Sequence, residues 1–304
     1  MTLRSGAAMQ IVLALFAGSC SSNRSDVVAE VPFSAPRHQI VVQVTLDGQG
    51  PFNMLLDTGT DPAAIDAELA RRLRAPVDST LHQGEGAGSG PIEAFEWDMV
   101  RVRLGAIEAD TVPAAALDLS QIGHKLGTPI HGVLGFGFLE GRIVQIDYPR
   151  HRVRFLRRWP SVSRQAATAE FSFLADSIDP TPRFSAHVGS SRVMLLYDSG
   201  SSGALSIAGQ ATHALGLDSA FAAARIDSAF GYGGRAETRQ CMVPALTIGP
   251  LHYTNVPCTF GVRAFGALDD TSRVVGKIGN ALFEDAIVTL DYARQQMRIQ
   301  RPVQ

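Results

Sequence analysis

The second half of this chain repeats the first. Asp57-Thr58-Gly59-Thr60 returns as Asp198-Ser199-Gly200-Ser201, each time after an apolar run, Met54-Leu55-Leu56 and then Val193-Met194-Leu195-Leu196-Tyr197. Val102-Arg103-Leu104-Gly105 returns as Leu246-Thr247-Ile248-Gly249, and Val133-Leu134-Gly135 as Lys277-Ile278-Gly279. Ile143-Val144-Gln145-Ile146-Asp147-Tyr148 returns as Ile287-Val288-Thr289-Leu290-Asp291-Tyr292, and Val153-Arg154-Phe155 as Met297-Arg298-Ile299. The offset is 141 residues for the first match and 144 for the later ones. Ordered matches at a nearly constant offset mark an internal duplication, and a unit of this length is domain-sized rather than one turn of a solenoid.

Within each copy the segments are short, β-branched and punctuated by Gly and Pro. Ile40 to Leu46 and Trp97 to Leu104 alternate apolar with polar residues, the period of a half-buried strand. Helix signals are brief: Asp61-Pro62 opens a run from Ala63 to Leu73, with a weaker counterpart at Gln210 to Leu215. Residues 157–169 read as the connector between copies. The expected architecture is all-β: two pseudo-twofold-related, barrel-like lobes at 37–160 and 161–304, with few short helices.

Two copies of one fold that pack about a pseudo-twofold axis bring equivalent residues to that axis. Here those residues are Asp57 and Asp198, and Gly59 and Gly200 allow two turns to approach closely. Two carboxylates within hydrogen-bond reach cannot both ionise at modest pH, so one proton is shared. The ionised member can take a proton from water, and the protonated member can give one to a carbonyl oxygen. That suffices for amide hydrolysis without metal, cofactor or covalent intermediate. A single Asp-x-Gly is most often an ordinary turn; its recurrence at the same place in a duplicated unit carries the argument.

These motifs resemble those of the pepsin-like and retropepsin-like aspartic proteases, in a single-chain bacterial bilobal form, and the resemblance runs from about His38 to the C-terminus. It implies a bilobal acid-protease fold and an aspartic endopeptidase with Asp57 and Asp198 as the catalytic pair. It implies that Thr58 and Ser199 reach across to the opposite turn, and that the hydroxyls of Thr60 and Ser201 bond the outer oxygens of the two aspartates. Such bonds would lower the pair's pKa values and give a mildly acidic optimum. Val133-Leu134-Gly135 and Lys277-Ile278-Gly279 match the element that braces the active-site turns, although Lys277 stands where the family has an apolar residue. The resemblance also places a flap before Trp97, at Gly84, Gly86 and Gly88, a stretch without the pepsin-like flap Tyr; the matching offset holds Tyr232 and Gly233. Plain surface loops are the alternative for both. The rival to the enzyme is a catalytically silent peptide-binding or scaffold protein on the same fold. A glycoside hydrolase fits poorly, because its carboxylates stand about 5 Å or more apart and need not lie in duplicated turns.

The remaining features bound the setting. Of 304 residues, 45% are hydrophobic and 18% charged, with a net charge of -2, which gives no electrostatic footprint for nucleic acid. Residues 1–20 read as a signal peptide. Ala17-Gly18-Ser19-Cys20 resembles a bacterial lipobox, which implies lipid on Cys20, a tether over 21–36, and a body held at a membrane facing the periplasm. Simple secretion is the alternative. Cys241 and Cys258 flank the turn Gly249-Pro250 symmetrically, which suits a disulfide across a hairpin, or else two small buried thiols. His82, His124, His131 and His213 have no ligand spacing, and no metal site is expected. No nucleotide-binding glycine motif or serine-nucleophile elbow is present. Asp147 and Asp291 read as turn residues rather than a second catalytic pair. With both aspartates on one chain, a monomer acting on peptide or protein substrates is expected.

Overall fold

The computed structural model of the chain describes residues 26–73, 81–84, 92–161, 166–176, 179–261 and 274–302. The signal-peptide and Cys20 readings, and flap positions Gly86 and Gly88, lie outside them. The first half holds strands β1 (Val27–Pro32), β2 (Val41–Leu46), β3 (Gln49–Leu56), β4 (Ala63–Asp66), β5 (Leu81–Gly84), β6 (Ile92–Leu104), β7 (Ile107–Leu117), β8 (Gly132–Leu134), β9 (Ile143–Asp147) and β10 (Arg152–Leu156). The second holds β11 (Ala166–Ser172), β12 (Arg183–Val188), β13 (Ser191–Tyr197), β14 (Leu205–Ala208), β15 (Ile226–Gly231), β16 (Gly234–Ile248), β17 (Leu251–Gly261), β18 (Val274–Ile278), β19 (Ile287–Asp291) and β20 (Gln296–Pro302). Helices are short: α1 (Ala67–Leu73), α2 (Ser120–Leu126), α3 (Phe136–Leu139) and α4 (Asp218–Ala223).

The long strands follow from alternation. Along β6, Ile92, Ala94, Trp97, Met99, Val102 and Leu104 are buried, with mostly exposed positions between them, so one face feeds the core. β2–β8 form a sheet in the order β2-β3-β8-β4-β7-β6-β5, and a β2–β6 pairing closes it into a barrel. β12–β18 form a second sheet in the order β12-β13-β18-β14-β17-β16-β15, nearly closed by β12–β16. Strand for strand the two orders correspond. In each, the strand ending at the aspartate runs parallel to the strand ending before the later glycine: β3 beside β8, β13 beside β18.

A third sheet, β1-β10-β9-β19-β20-β11, joins the halves. At its centre β9 and β19 run antiparallel, pairing Ile143 with Asp291 and Asp147 with Ile287. Gln145 Nε2 donates to Thr289 Oγ1 at 3.1 Å across that seam. Asp147 and Asp291 hold the turns that follow: their Oδ1 atoms accept the backbone N–H of Arg150 (3.2 Å) and Arg294 (3.0 Å), and their Oδ2 atoms pair with the same arginines.

The structure corrects several sequence expectations. Residues 27–32 are no tether; they form β1 and pair with β10 because Ala29 and Val31 are buried in the core. The supposed connector at 157–169 already enters β11 at Ala166, which pairs with β20. Ala63–Asp66 is strand rather than helix: Ala63, Ala64 and Ile65 are buried beside β7 and β8, and tertiary pairing overrides local propensity. The helix starts only at Ala67, where Asp66 Oδ1 accepts the N–H of Glu68 (3.1 Å) and Leu69 (3.2 Å). In place of a helix over Gln210 to Leu215 there is a short 3-10 turn at Gly209–Ala211, with α4 farther on. The expected hairpin about Gly249-Pro250 is present as β16–β17, and Cys241 faces Cys258 across it in a disulfide with Cα atoms 4.7 Å apart. Among the described residues no helix is long and apolar enough to cross a membrane.

Candidate active site

The apolar strands β3 and β13 deliver Asp57 and Asp198 to equivalent positions. Asp57 N donates to Leu134 O and Asp198 N to Ile278 O, both at 3.0 Å. The chain after each later glycine then holds the far end of the same turn: Phe136 N donates to Thr60 O and Asn280 N to Ser201 O, both at 2.9 Å. Gly135 and Gly279 are needed there, because a Cβ on either would overlap a carbonyl of the turn it supports.

The two turns are bonded crosswise. Thr58 Oγ1 donates to Tyr197 O (3.0 Å) and accepts from Ser199 N (2.9 Å). Ser199 Oγ donates to Leu56 O (2.9 Å) and accepts from Thr58 N (3.0 Å). Thr58 and Ser199 are buried, so these bonds lie away from water. Below them, Asn280 Nδ2 donates to Ser199 O at 2.7 Å, and its Oδ1 accepts from Tyr148 Oη at 2.6 Å; Tyr148 Oη also lies 2.8 Å from Tyr197 Oη. Gln39 Nε2 donates to Gly200 O at 2.7 Å.

Each glycine of the motif lies against the opposite aspartate. A Cβ on Gly59 would come within 2.9 Å of the Asp198 carboxyl, and one on Gly200 would overlap the Asp57 carboxyl. Both aspartates are 9% exposed. Gly59 N donates to Asp57 Oδ1 (2.7 Å) and Gly200 N to Asp198 Oδ1 (2.9 Å). The symmetry ends at the second oxygens. Thr60 Oγ1 donates to Asp57 Oδ2 at 2.7 Å, as the sequence led one to expect. On the other side the donor to Asp198 Oδ2 is the Lys277 ammonium, at 2.6 Å, where Ser201 was expected. Lys277 reaches it because β18 places that side chain beside Leu196, two residues before Asp198.

Burial, then the Asp198 charge, pushes Asp57 up to about 7; the bonds from Thr60 and Gly59 and the charge of Lys277 act the other way without overcoming it. The expected net lowering by hydroxyl bonds is therefore not seen at Asp57, because desolvation is larger. Burial alone would depress the Lys277 ammonium, but Asp198, its hydrogen bond and Asp57 hold it above its ordinary value.

Of the flap positions, Gly84 ends β5, and Tyr232 and Gly233 form the turn between β15 and β16. Tyr232 crosses to the other barrel and packs on a cluster that includes Val41, Leu55, Leu119 and Val133. Lys125 of α2 stacks on the Phe230 ring of the same hairpin, 4.4 Å from its centroid. The Tyr232 hydroxyl is buried beside Thr60, and no described residue meets it in full hydrogen-bond geometry. Burial and the Asp57 charge push it above its ordinary value. The sequence flagged Lys277 only as an irregularity, a charge at the position matching apolar Val133; that Val133 is fully buried is shown by the structure alone. Asn280 and Gln39 gave no motif; Tyr148 recurs as Tyr292 in the repeated sequence, but nothing there marked its hydroxyl as part of the site.

A family model described as aspartyl protease matches residues 42–138. That span holds the Asp57 turn and its brace at Val133-Leu134-Gly135, and ends before Asp198. No curated protein matches the chain. Among the described residues no group of three or more His, Cys, Asp or Glu side chains is placed to hold a metal ion.

Proposed function

We propose that the chain is an aspartic endopeptidase of two pseudo-twofold-related lobes, 37–160 and 161–304, that hydrolyses peptide bonds with Asp57 and Asp198. The observation that carries this reading is the crosswise bonding of Thr58 and Ser199, which holds two buried aspartates from distant parts of the chain against each other's glycines. One carboxylate removes a proton from water as its oxygen attacks the scissile carbonyl carbon. The other carboxyl gives its proton to the carbonyl oxygen, forming a gem-diol. Collapse returns that proton, and the first aspartate hands its own to the leaving nitrogen, so the pair ends as it began. Buried donors fixed around both carboxyls need no rearrangement as charge moves.

The second reading is a silent peptide-binding protein, and one observation favours it: the Tyr232 hairpin already covers the apolar cluster beside Asp57. Residues 21–304, without the leader, incubated with a peptide library from about pH 3 to about pH 8, decide between them. The peptidase reading expects cleavage, with one oxygen from labelled water in each new carboxyl group. No cleavage at any pH favours the silent protein. Export and lipid attachment at Cys20, with the body facing the periplasm, are proposed from the leader sequence; mass spectrometry of the N-terminal peptide from expressing cells tests them, an unmodified Cys20 counting against the anchor.

A further inference from the structure

We infer that Lys277 makes the two aspartates unequal: by pairing with Asp198 it keeps that residue as the carboxylate that takes water's proton, and leaves Asp57 as the acid that protonates the substrate carbonyl. This rests on the peptidase reading and assigns the roles within it.

The asymmetry is geometric. Both inner oxygens accept a glycine N–H, and both turns carry a hydroxyl at the fourth motif position. Only Thr60 uses its hydroxyl on its aspartate; opposite it, an ammonium lies 2.6 Å from Asp198 Oδ2, with the two side chains 16% and 12% exposed. The strand registers make Lys277 the counterpart of Val133, which lies in the apolar cluster under Tyr232. A full positive charge on one side of a pair with one proton cannot leave that proton evenly shared: it favours the form with the charge on Asp198. The Thr60 hydroxyl favours ionised Asp57 in the same way but more weakly, because it carries no net charge.

The other titratable groups facing the pair do not compete. Tyr197 on β13, Tyr148 and Tyr292 after β9 and β19, and Tyr232 on its hairpin all feel one or both aspartates. Burial first, and then neighbouring charge, pushes each of them up, so they stay neutral where Asp57 titrates. Among the described residues, Lys277 is the cation that acts on Asp57. In wild type Lys277 biases the single proton toward Asp57 and also lets it leave at lower pH; without Lys277 the pair keeps that proton to higher pH and shares it between both carboxyls.

The test compares wild type, Lys277→Met, Lys277→Arg and Asp57→Asn. The pH profile of kcat/KM is measured on a cleaved peptide, and the Asp57 carboxyl carbon is titrated by NMR in selectively labelled protein. In Lys277→Met the alkaline limb and the Asp57 titration move up together by about 1–3 pH units, and Lys277→Arg restores both toward wild type. If Lys277→Met does not fold, Lys277→Gln carries the same expectation. A Lys277 variant that only loses thermal stability, with limb and titration unmoved, overturns the inference. If Asp57→Asn still cleaves, the peptidase reading fails instead, and the Asp57 titration still reports on Lys277.

Discussion

Replacing Asp57 with Asn should make the folded protein more stable, and more so as pH rises. Asp57 is held at about 7 in the folded state, against an ordinary value of 3.8. Between those values the folded chain carries a proton that the unfolded chain has lost, so unfolding free energy falls as pH rises, by about 1.4 kcal/mol per unit. Over the full interval the wild type gives up about 4 kcal/mol by pH 8. Asn carries no charge and escapes that loss, while its carbonyl oxygen can still accept from Gly59. The advantage of Asp57→Asn over wild type should therefore be small near pH 4 and reach about 2–4 kcal/mol near pH 8. Urea unfolding followed by circular dichroism at several pH values reads this directly. Parallel stability curves for the two proteins would show that Asp57 is not buried against a like charge.

The crosswise bonds should matter more for folding than surface polar contacts do. Thr58→Val leaves Ser199 N and Tyr197 O without their partner and should cost about 2–4 kcal/mol in urea unfolding, with Ser199→Ala similar; a loss under about 0.5 kcal/mol would mean water replaces the bonds. Cys241→Ser with Cys258→Ser opens a loop of sequence separation 17 and should cost about 3 kcal/mol, seen as a lower thermal midpoint; an unchanged midpoint in reducing and oxidising buffer alike would refute that. Tyr232→Phe removes a buried hydroxyl that no described residue meets in full hydrogen-bond geometry, so stability should hold or rise. If the hydroxyl serves substrate, kcat/KM should fall about tenfold; unchanged kinetics would leave the ring as mere packing.

What could be read from the sequence was whatever its two halves share. The two Asp-x-Gly turns, their hydroxyl partners at 58 and 199, and the bracing glycines at 135 and 279 are each required by backbone contacts that occur twice, so each left two matching traces. The Cys241–Cys258 pairing was legible from distance to a turn, because hairpin register is set locally. The strand at Ala63–Asp66 was not, since short alanine-rich segments prefer helix until long-range pairing decides otherwise. β1 was missed for a related reason: its partner β10 is over a hundred residues away and its sequence resembles a linker. The replacement of Ser201 by Lys277 at Asp198 required knowing which strand lies beside which, which no motif carries. Asn280 and Tyr148 are likewise brought together only by the fold.

The most direct test compares peptide cleavage near pH 5 by wild type, Asp57→Asn and Asp198→Asn, each confirmed folded by near-ultraviolet circular dichroism. If one proton passes between two acids and a water, losing either acid should lower kcat by about 10^2–10^4-fold. A folded single variant that cleaves at the wild-type rate would place the chemistry at some other part of the molecule.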